Sequence, residues 1–256
     1  MKYEDIGFPI HDSHIHVGQC FDDFYFSPPN LIKSLKELGI MKWAVSSPTT
    51  YKNFDKARIE LEELIELEPN KTMPMLWVTK YMLENSSDLS QYFVFPIFGF
   101  KIHGYSENWD CNAKPIKRVF SIARERNLPV LLHTGYKPGG PESGSYEKLI
   151  SEFSDVKVIL AHGRPENQTL NILKRNPNAY VDTAYISFDG LKNIYDKLGS
   201  NQIIFGSDFP LDSHYYPTES LTELYKKNII NYINVFGIEA FKQWTDSNFH
   251  KVFNLK

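Results

Sequence analysis

The chain has 256 residues, enough for one large α/β domain, and its 42% hydrophobic and 23% charged residues are ordinary for a globular enzyme. The formal net charge of −3 gives no electrostatic reason to expect a nucleic-acid or membrane partner. Neither of the two cysteines, Cys20 and Cys111, belongs to a CxxC pair, so we expect no disulfide framework and no cysteine metal site.

The N-terminus lacks the apolar core of a signal peptide, and no run approaches the roughly 18 apolar residues of a membrane span. We therefore predict a cytoplasmic protein that forms a single domain over residues 1–256. Its expected partner is a small-molecule substrate, and the sequence is also compatible with a homo-oligomer.

Short apolar runs alternate with amphipathic stretches along the whole chain. In chain order, the runs predict strands near residues 9–15, 43–46, 73–78, 97–102, 129–133, 156–161, 178–183 and 202–207. The amphipathic stretches predict helices at 29–38, 54–67, 113–126, 144–152, 166–175, 187–198 and 217–227, with a weaker one at 86–92. The tail at 236–253 reads as a closing helix packed under the sheet.

This alternation of eight strands with eight helices predicts an α/β fold, the (β/α)8 TIM barrel. A doubly wound open sheet is the alternative. In the barrel, active-site residues lie at the carboxyl ends of the strands, and these ends form a ring rather than a line.

Most of the predicted strands end in a residue type that binds metals. These residues are His14 and His16, then His133, His162 and Asp208, with Lys101 and His103 at the end of a further run. His14 and His16 point to the same side of an extended strand because side chains alternate with period 2. Imidazole nitrogens and a carboxylate suit a borderline cation such as zinc. We therefore predict a divalent metal site at this end of the barrel.

Several short motifs around these residues occur in a fixed order. They are Asp-x-His-x-His from residue 12, then Phe-Gly-Phe-Lys-Ile-His, His-Thr-Gly, Leu-Ala-His-Gly and Phe-Gly-Ser-Asp-Phe-Pro. The ordered set resembles the amidohydrolase superfamily, specifically the small amidohydrolase-2 type, over essentially the whole chain. The first motif begins so early that the extra N-terminal β-domain of larger urease-like members is not expected. TatD-type nucleases share the layout but carry a glutamate where this chain has Lys101, which makes a nuclease a weaker reading.

The residue types suggest a mechanism. A cation held by His14, His16 and His133, with Asp208 near or bound, would lower the pKa of a bound water to around 7 and so supply hydroxide. Asp208 would then serve as the general base. His162 would polarise the substrate carbonyl or bind a second ion. Asp12 is either a support for the histidine pair or a strand-end cap.

Lys101 decides the expected number of metal ions. In binuclear relatives a lysine at the end of strand 4 is carbamylated and bridges two ions, whereas in many amidohydrolase-2 relatives one ion suffices. We favour one zinc-like ion and an unmodified Lys101 that binds an anionic substrate group, together with His103 and a carboxylate clamp at Arg164. Further loop candidates follow the strand ends: Tyr51, Tyr81, Tyr136, Lys137, Tyr185, His214 and Tyr215.

The leading functional hypothesis is metal-dependent hydrolysis of a small amide, lactone or related ester. A non-oxidative decarboxylase of a small aromatic or enoic acid, using nearly the same metal site, is the alternative that comes with the family. A non-catalytic metal-binding barrel is a third, weaker reading. The aromatic segment from Phe21 to Phe26 either covers the pocket as a lid or shields the barrel rim.

Overall fold

The structure is a computed structural model that describes residues 1–86, 88–104, 111, 113–135 and 141–256. Eight parallel strands form one sheet in which chain neighbours are also spatial neighbours, and a short hairpin of two further strands stands apart. In the described residues the strands are β1 (Ile10–His16), β2 (Gly18–Phe21), β3 (Phe24–Phe26), β4 (Ile40–Ser46), β5 (Thr72–Val78), β6 (Gly99–Ile102), β7 (Val130–His133), β8 (Val158–Ala161), β9 (Ala179–Asp182) and β10 (Ile203–Ile204).

The sheet closes on itself where β1 meets the segment that follows β10. The backbone N–H of Ser13 donates to the oxygen of Phe205 at 3.0 Å, and the N–H of Asp208 donates to the oxygen of His14 at 2.8 Å. These bonds leave no open edge between the first and last strands. The predicted barrel is therefore confirmed, and the doubly wound open sheet is wrong.

The helices lie outside the strands. Within the described ranges they are α1 (Pro28–Glu37), α2 (Phe54–Leu67), α3 (Lys80–Asn85), α4 (Lys114–Arg126), α5 (Glu147–Glu152), α6 (Glu166–Arg175), α7 (Phe188–Leu198), α8 (Asp212–Tyr215), α9 (Leu221–Phe236), α10 (Ile238–Lys242) and α11 (Asn248–Phe253). Polar caps mark several starts: the Ser27 hydroxyl accepts from the N–H of Asn30, and the Asn53 side chain accepts from the N–H of Lys56. No helix in this described part of the chain is long and apolar enough to cross a bilayer.

Several boundaries differ from those predicted by the sequence. In place of the weak helix expected at 86–92, the structure has a 3-10 turn at Leu89–Tyr92, which follows α3. The helix expected at 217–227 is α9, which begins at Leu221 and continues to Phe236. The closing helix expected at 236–253 is split, because a π-helical turn at Gln243–Ser247 separates α10 from α11. β10 is shorter than its apolar run, since the chain leaves the extended conformation to bring Asp208, with a φ of 61°, against β1.

The alternation of side chains divides the strands into an outer and an inner layer. On β8, Val158 and Leu160 pack outward among the helices, whereas Ile159 and Ala161 face the barrel interior. The lower interior is apolar and includes Leu131, Tyr180 and Ile204, and Phe249 of α11 packs into it from below. Because α11 fills the amino-terminal end of the barrel, the candidate site residues lie at the open, carboxyl end.

Phe249→Ala should lower the free energy of unfolding by about 3–5 kcal/mol, because removal of a fully buried ring leaves a cavity in the barrel floor. Urea denaturation would measure the loss. Phe188→Ala is the matched control: its ring is 39% exposed, so the same truncation should cost much less. Equal losses for the two variants would contradict the role of Phe249 as a plug.

Candidate metal centre

Three side-chain atoms from β1 and the end of β10 converge at the carboxyl end of the barrel. Nε2 of His14 lies 3.2 Å from Nε2 of His16, and Oδ1 of Asp208 lies 3.1 Å from the first nitrogen and 2.9 Å from the second. All three residues are buried. Ligand atoms around a tetrahedral zinc are separated by roughly 3.3 Å, since each lies about 2.0–2.1 Å from the metal. The separations in this triangle therefore fit the donor set of one cation.

Hydrogen bonds on the far side of the rings determine the tautomer of both histidines. Nδ1 of His14 lies 2.7 Å from Oδ2 of Asp182, and Nδ1 of His16 lies 3.3 Å from the backbone oxygen and 3.2 Å from the hydroxyl oxygen of Ser46, which can also accept. A backbone oxygen and a carboxylate accept, so each Nδ1 is assigned the proton and each Nε2 keeps a lone pair directed into the site. Such outer partners orient metal-binding imidazoles.

The tautomer of His133 follows in the same way from the hydrogen bonds of its neighbour His162. Nδ1 of His162 donates to the backbone oxygen of Ala184 at 3.1 Å, so its Nε2 must accept from Nδ1 of His133, also at 3.1 Å. Nε2 of His133 then has only a lone pair to offer. Among the described residues this buried nitrogen and Oδ1 of Asp208 have no hydrogen-bond partner. Unpaired buried acceptors are costly, and a cation at the triangle of His14, His16 and Asp208 would satisfy Oδ1 of Asp208. Nε2 of His133 does not belong to this group of mutually close ligand atoms.

The ionisation of these groups also suits metal binding. Burial lowers the pKa of His14 and of His133 well below the usual range, and it lowers the pKa of His162 to about 4. Burial alone would raise the pKa of Asp208, but the surrounding imidazoles, His14 first, hold it below its usual range. Neutral imidazoles and an ionised carboxylate are the forms that bind a divalent cation.

Lys101 lies inside the barrel beside this group, as its place on the inner face of β6 requires. The side chain is 1% exposed, and its Nζ lies 2.8 Å from Nε2 of His14. Burial lowers the pKa of Lys101 to about 8. The amine is thus next to the candidate ligands rather than at the mouth of the pocket.

Asp182 is a site residue that the sequence analysis missed. Its carboxylate is fully buried, where Oδ2 holds the ring of His14 and Oδ1 accepts from the backbone N–H of His162 at 2.8 Å. Burial raises the pKa of Asp182 well above its usual range. A signal was present, because Asp182 ends the apolar run of β9 as the other candidates end theirs. One carboxylate therefore orients β1 and the end of β8 together.

Asp12 supports the main chain of the site and not a histidine ring. Its Oδ1 accepts from the N–H groups of His14 at 3.0 Å and Ser207 at 3.1 Å, and its Oδ2 accepts from the Tyr225 hydroxyl at 2.8 Å. This buried carboxylate joins β1 to the loop that carries Asp208. The sequence allowed Asp12 to be either a support for the histidine pair or a strand-end cap. The structure agrees with the first interpretation, and the support acts through hydrogen bonds to the backbone.

A cavity of about 950 Å³ opens above the candidate ligands. Its wall includes His103, which is stacked on His133 with 3.8 Å between ring centroids, and Arg164, which donates to the backbone oxygen of Tyr185 at 2.8 Å. Of the further loop candidates, Tyr51, Tyr185 and Tyr215 also line the cavity, whereas Tyr81 is 70% exposed and lines no part of it. Tyr136 and Lys137 lie outside the described residues.

The hairpin formed by β2 and β3 covers one side of this cavity. Its residues Gln19 to Asp22 line the cavity, and the ring of Phe21 stacks on His214 of α8 with 4.0 Å between centroids. The first reading of the aromatic segment, as a lid on the pocket, therefore agrees with the structure near Phe21. Phe26 instead packs edge-on against Phe209 below the rim.

Asp182→Asn should weaken metal binding by about 10–100-fold, because an amide is a poorer acceptor for the His14 ring and no longer adds negative charge behind it. Competition with a chromophoric chelator would measure the dissociation constant. Asp189→Asn, on the exposed start of α7, is the control and should bind metal like the wild type. Unchanged affinity in Asp182→Asn would show that the carboxylate does not act through His14.

Many solved structures are similar to this chain at identities that bear on the fold alone, and three of them illustrate the range of enzymes. A probable 2-pyrone-4,6-dicarboxylic acid hydrolase from Acinetobacter baumannii, with citric acid bound, has a TM-score of 0.69 and 15% identity over 97% of this chain and 100% of that chain. An amidohydrolase from Burkholderia multivorans with bound zinc has a TM-score of 0.68 and 11% identity over 97% and 100%. A manganese complex of 5-carboxyvanillate decarboxylase from Novosphingobium aromaticivorans has a TM-score of 0.68 and 10% identity over 98% and 97%.

A search of curated proteins gives no significant match to the sequence. A family model described as Amidohydrolase (Amidohydro_2) matches residues 97–253, which include the strand ends that carry Lys101, His133, His162 and Asp208. The match covers more than half of the chain. The resemblance drawn from the motifs is thereby confirmed: the chain belongs to the amidohydrolase family Amidohydro_2 and is an enzyme.

Proposed function

We propose that this protein is a metal-dependent hydrolase of a small molecule that carries an amide, lactone or related ester. The observation that supports the proposal is the convergence of unprotonated imidazole nitrogens and an ionised carboxylate at the floor of a cavity. His14, His16 and Asp208 would hold the cation, with His133 as the further ligand expected from the sequence and zinc as the favoured ion. When bound, such a cation is a Lewis acid that polarises a carbonyl and lowers the pKa of water.

Asp208 is the proposed general base. Its Oδ1 faces the histidine pair, while Oδ2 lies 4.0 Å from Nε2 of His162, and the side chain reaches the cavity. As a carboxylate, Asp208 can take a proton from the attacking water and return it to the leaving group. Both steps would use Oδ2, the oxygen that does not contact His14 or His16.

His162 is proposed to assist catalysis mainly by holding His133. In its neutral tautomer Nε2 accepts from His133, so this nitrogen has no proton to donate to a substrate carbonyl. A donating role would require prior protonation of this ring, whose pKa burial lowers to about 4. We therefore modify the sequence-based expectation that His162 polarises the substrate directly.

The substrate is proposed to carry an anionic group. Lys101 and Arg164 both line the cavity, and the Arg164 guanidinium has five N–H donors, one of which is used by Tyr185. A substrate carboxylate would form an ion pair with the ammonium group of Lys101 and paired hydrogen bonds with the guanidinium group of Arg164. A single ion with unmodified Lys101 is favoured, because the donor set is complete without a bridging carbamate.

Decarboxylation of a small aromatic or enoic acid is the second candidate. It is favoured by the same two cations and by the fold shared with 5-carboxyvanillate decarboxylase. The two reactions release different products, so a panel of lactones, amides and carboxylic acids, assayed both for ring or amide opening and for carbon dioxide, separates them. Carbon dioxide release without hydrolysis would replace the first proposal by the second.

Asp208→Asn should lower turnover on the substrate identified in that panel by about 10²–10⁴-fold, because an amide cannot accept the proton from water. Metal content, measured by mass spectrometry, should fall much less than turnover. The His14→Ala/His16→Ala double variant provides the metal-depleted reference, and Asp212→Asn changes a rim carboxylate that instead binds the Tyr185 hydroxyl. Wild-type turnover in Asp208→Asn would remove this residue from the mechanism.

Lys101→Met should raise KM for an anionic substrate by at least tenfold, with a smaller effect on an uncharged analogue, because the ammonium group supplies a point charge in the cavity. The metal should stay bound, since Lys101 is not among the proposed ligands. Lys52→Met is the control: this lysine also lines the cavity but is largely exposed and paired with Asp22. Loss of metal in Lys101→Met would point to a bridging role instead.

A further inference from the structure

A second group of metal-binding side chains lies at the opposite end of the barrel from the candidate metal centre. We propose that His11, Asp246 and His250 form a separate site for a divalent transition-metal ion, which fastens the C-terminal segment to β1. One ligand atom from each of these residues lies within 4.8 Å of the other two. His11 is on β1, Asp246 is in the π-helical turn, and His250 is on α11. This site is independent of the proposed hydrolysis.

The carboxylate of Asp246 lies between the two imidazoles. Its Oδ1 is 3.6 Å from Nε2 of His11 and 3.3 Å from Nδ1 of His250, and the two rings are 5.0 Å apart and nearly perpendicular. A contact of 3.6 Å is too long for a hydrogen bond. It is close to the roughly 3.3 Å that separates ligands on a tetrahedral zinc. The spacing between His11 and Asp246 therefore suits two ligands that share an ion better than it suits direct pairing, and His250 would bind the ion through its other ring nitrogen, Nε2.

The His11 ring lacks the hydrogen-bond partners expected for a purely structural group. His11 is 4% exposed, and its Nδ1 has no hydrogen-bond partner among the described residues. The Asp246 carboxylate, 3.6 Å from Nε2, is too distant to hydrogen-bond the other ring nitrogen.

The local structure holds these ligands in place before any ion binds. The Thr245 hydroxyl accepts from the N–H of His11 at 2.7 Å and donates to its backbone oxygen at 2.6 Å, which ties the π-helical turn to β1. Nδ1 of His250 donates to the backbone oxygen of Asp246 at 2.9 Å, so its Nε2 keeps the lone pair. π-helical turns often occur at functional sites, and this one brings Asp246 beside His11.

The donor set selects the class of ion. Two imidazoles and one carboxylate suit zinc, nickel, cobalt or copper, whereas magnesium and calcium prefer oxygen ligands alone. Asp246 and His250 are each about one-third exposed, so an ion can enter from solvent. Because the site joins β1 to the segment that plugs the barrel floor, an ion bound there stabilises the folded state according to its occupancy.

The test is a titration of the metal-loaded enzyme with zinc or nickel, followed by equilibrium dialysis and mass spectrometry. Wild-type protein should bind a second equivalent, and its Tm should rise by a few degrees as that equivalent binds. The Asp246→Asn/His250→Gln variant should keep the first equivalent and bind the second at least tenfold more weakly. Magnesium should have no effect on either protein.

Two further proteins separate this proposal from that for the active site. His14→Ala/His16→Ala should lose the first equivalent and keep the second, because the two sites share no ligand. Glu239→Gln, an exposed acid on α10, should behave like the wild type. Binding of the second equivalent with unchanged affinity in Asp246→Asn/His250→Gln, or one equivalent only in the wild type at millimolar zinc, would overturn the proposal.

Discussion

The candidate metal centre depends on hydrogen bonds made behind its histidines. Asp182, the backbone oxygen of Ser46 and the His162 ring each take the Nδ1 proton of one imidazole, so each Nε2 keeps its lone pair, and those of His14 and His16 lie beside Asp208. With the other tautomer, two N–H groups would face each other across 3.2 Å and no cation could bind. The buried acceptors thus fix the histidine tautomers that can bind a metal before any ligand is present. Without these acceptors the same histidines would be ordinary buried residues.

Holding these groups together costs backbone strain as well as burial. His162 and Asp208 both have positive φ values, 69° and 61°, at the ends of β8 and β10, where an extended chain would carry their side chains past the site. Asp12 contributes to the support of this conformation, because its carboxylate binds the backbone of both β1 and the loop before Asp208. Backbone strain that is held in place by buried hydrogen bonds is common at functional sites.

The two ends of the barrel interior have opposite character. Inward residues near the amino end are mostly apolar and, with His11, pack against Phe249, whereas inward residues near the carboxyl end include histidine, lysine and aspartate. The apolar half excludes water from below the candidate metal centre, so its electrostatic interactions are stronger than they would be in solvent. The lid at Phe21 and the basic residues of the wall lie on the open side, which is where a small anionic substrate would enter.

Much of this protein follows from its sequence. Apolar runs that end in metal-binding residue types predict the barrel and a site at the strand ends. The same pattern predicts the site residues His14, His16, His133, His162 and Asp208, because the succession of runs along the chain and the alternation of side chains within a strand can both be read from the sequence. Asp182 could have been included by the same rule, but the tautomers could not, since they depend on partners such as Ala184 and Ser46 that only the fold supplies. The group of His11 with Asp246 was equally out of reach: these residues are 235 positions apart in the chain, and only the closed barrel with its π-helical turn brings them together.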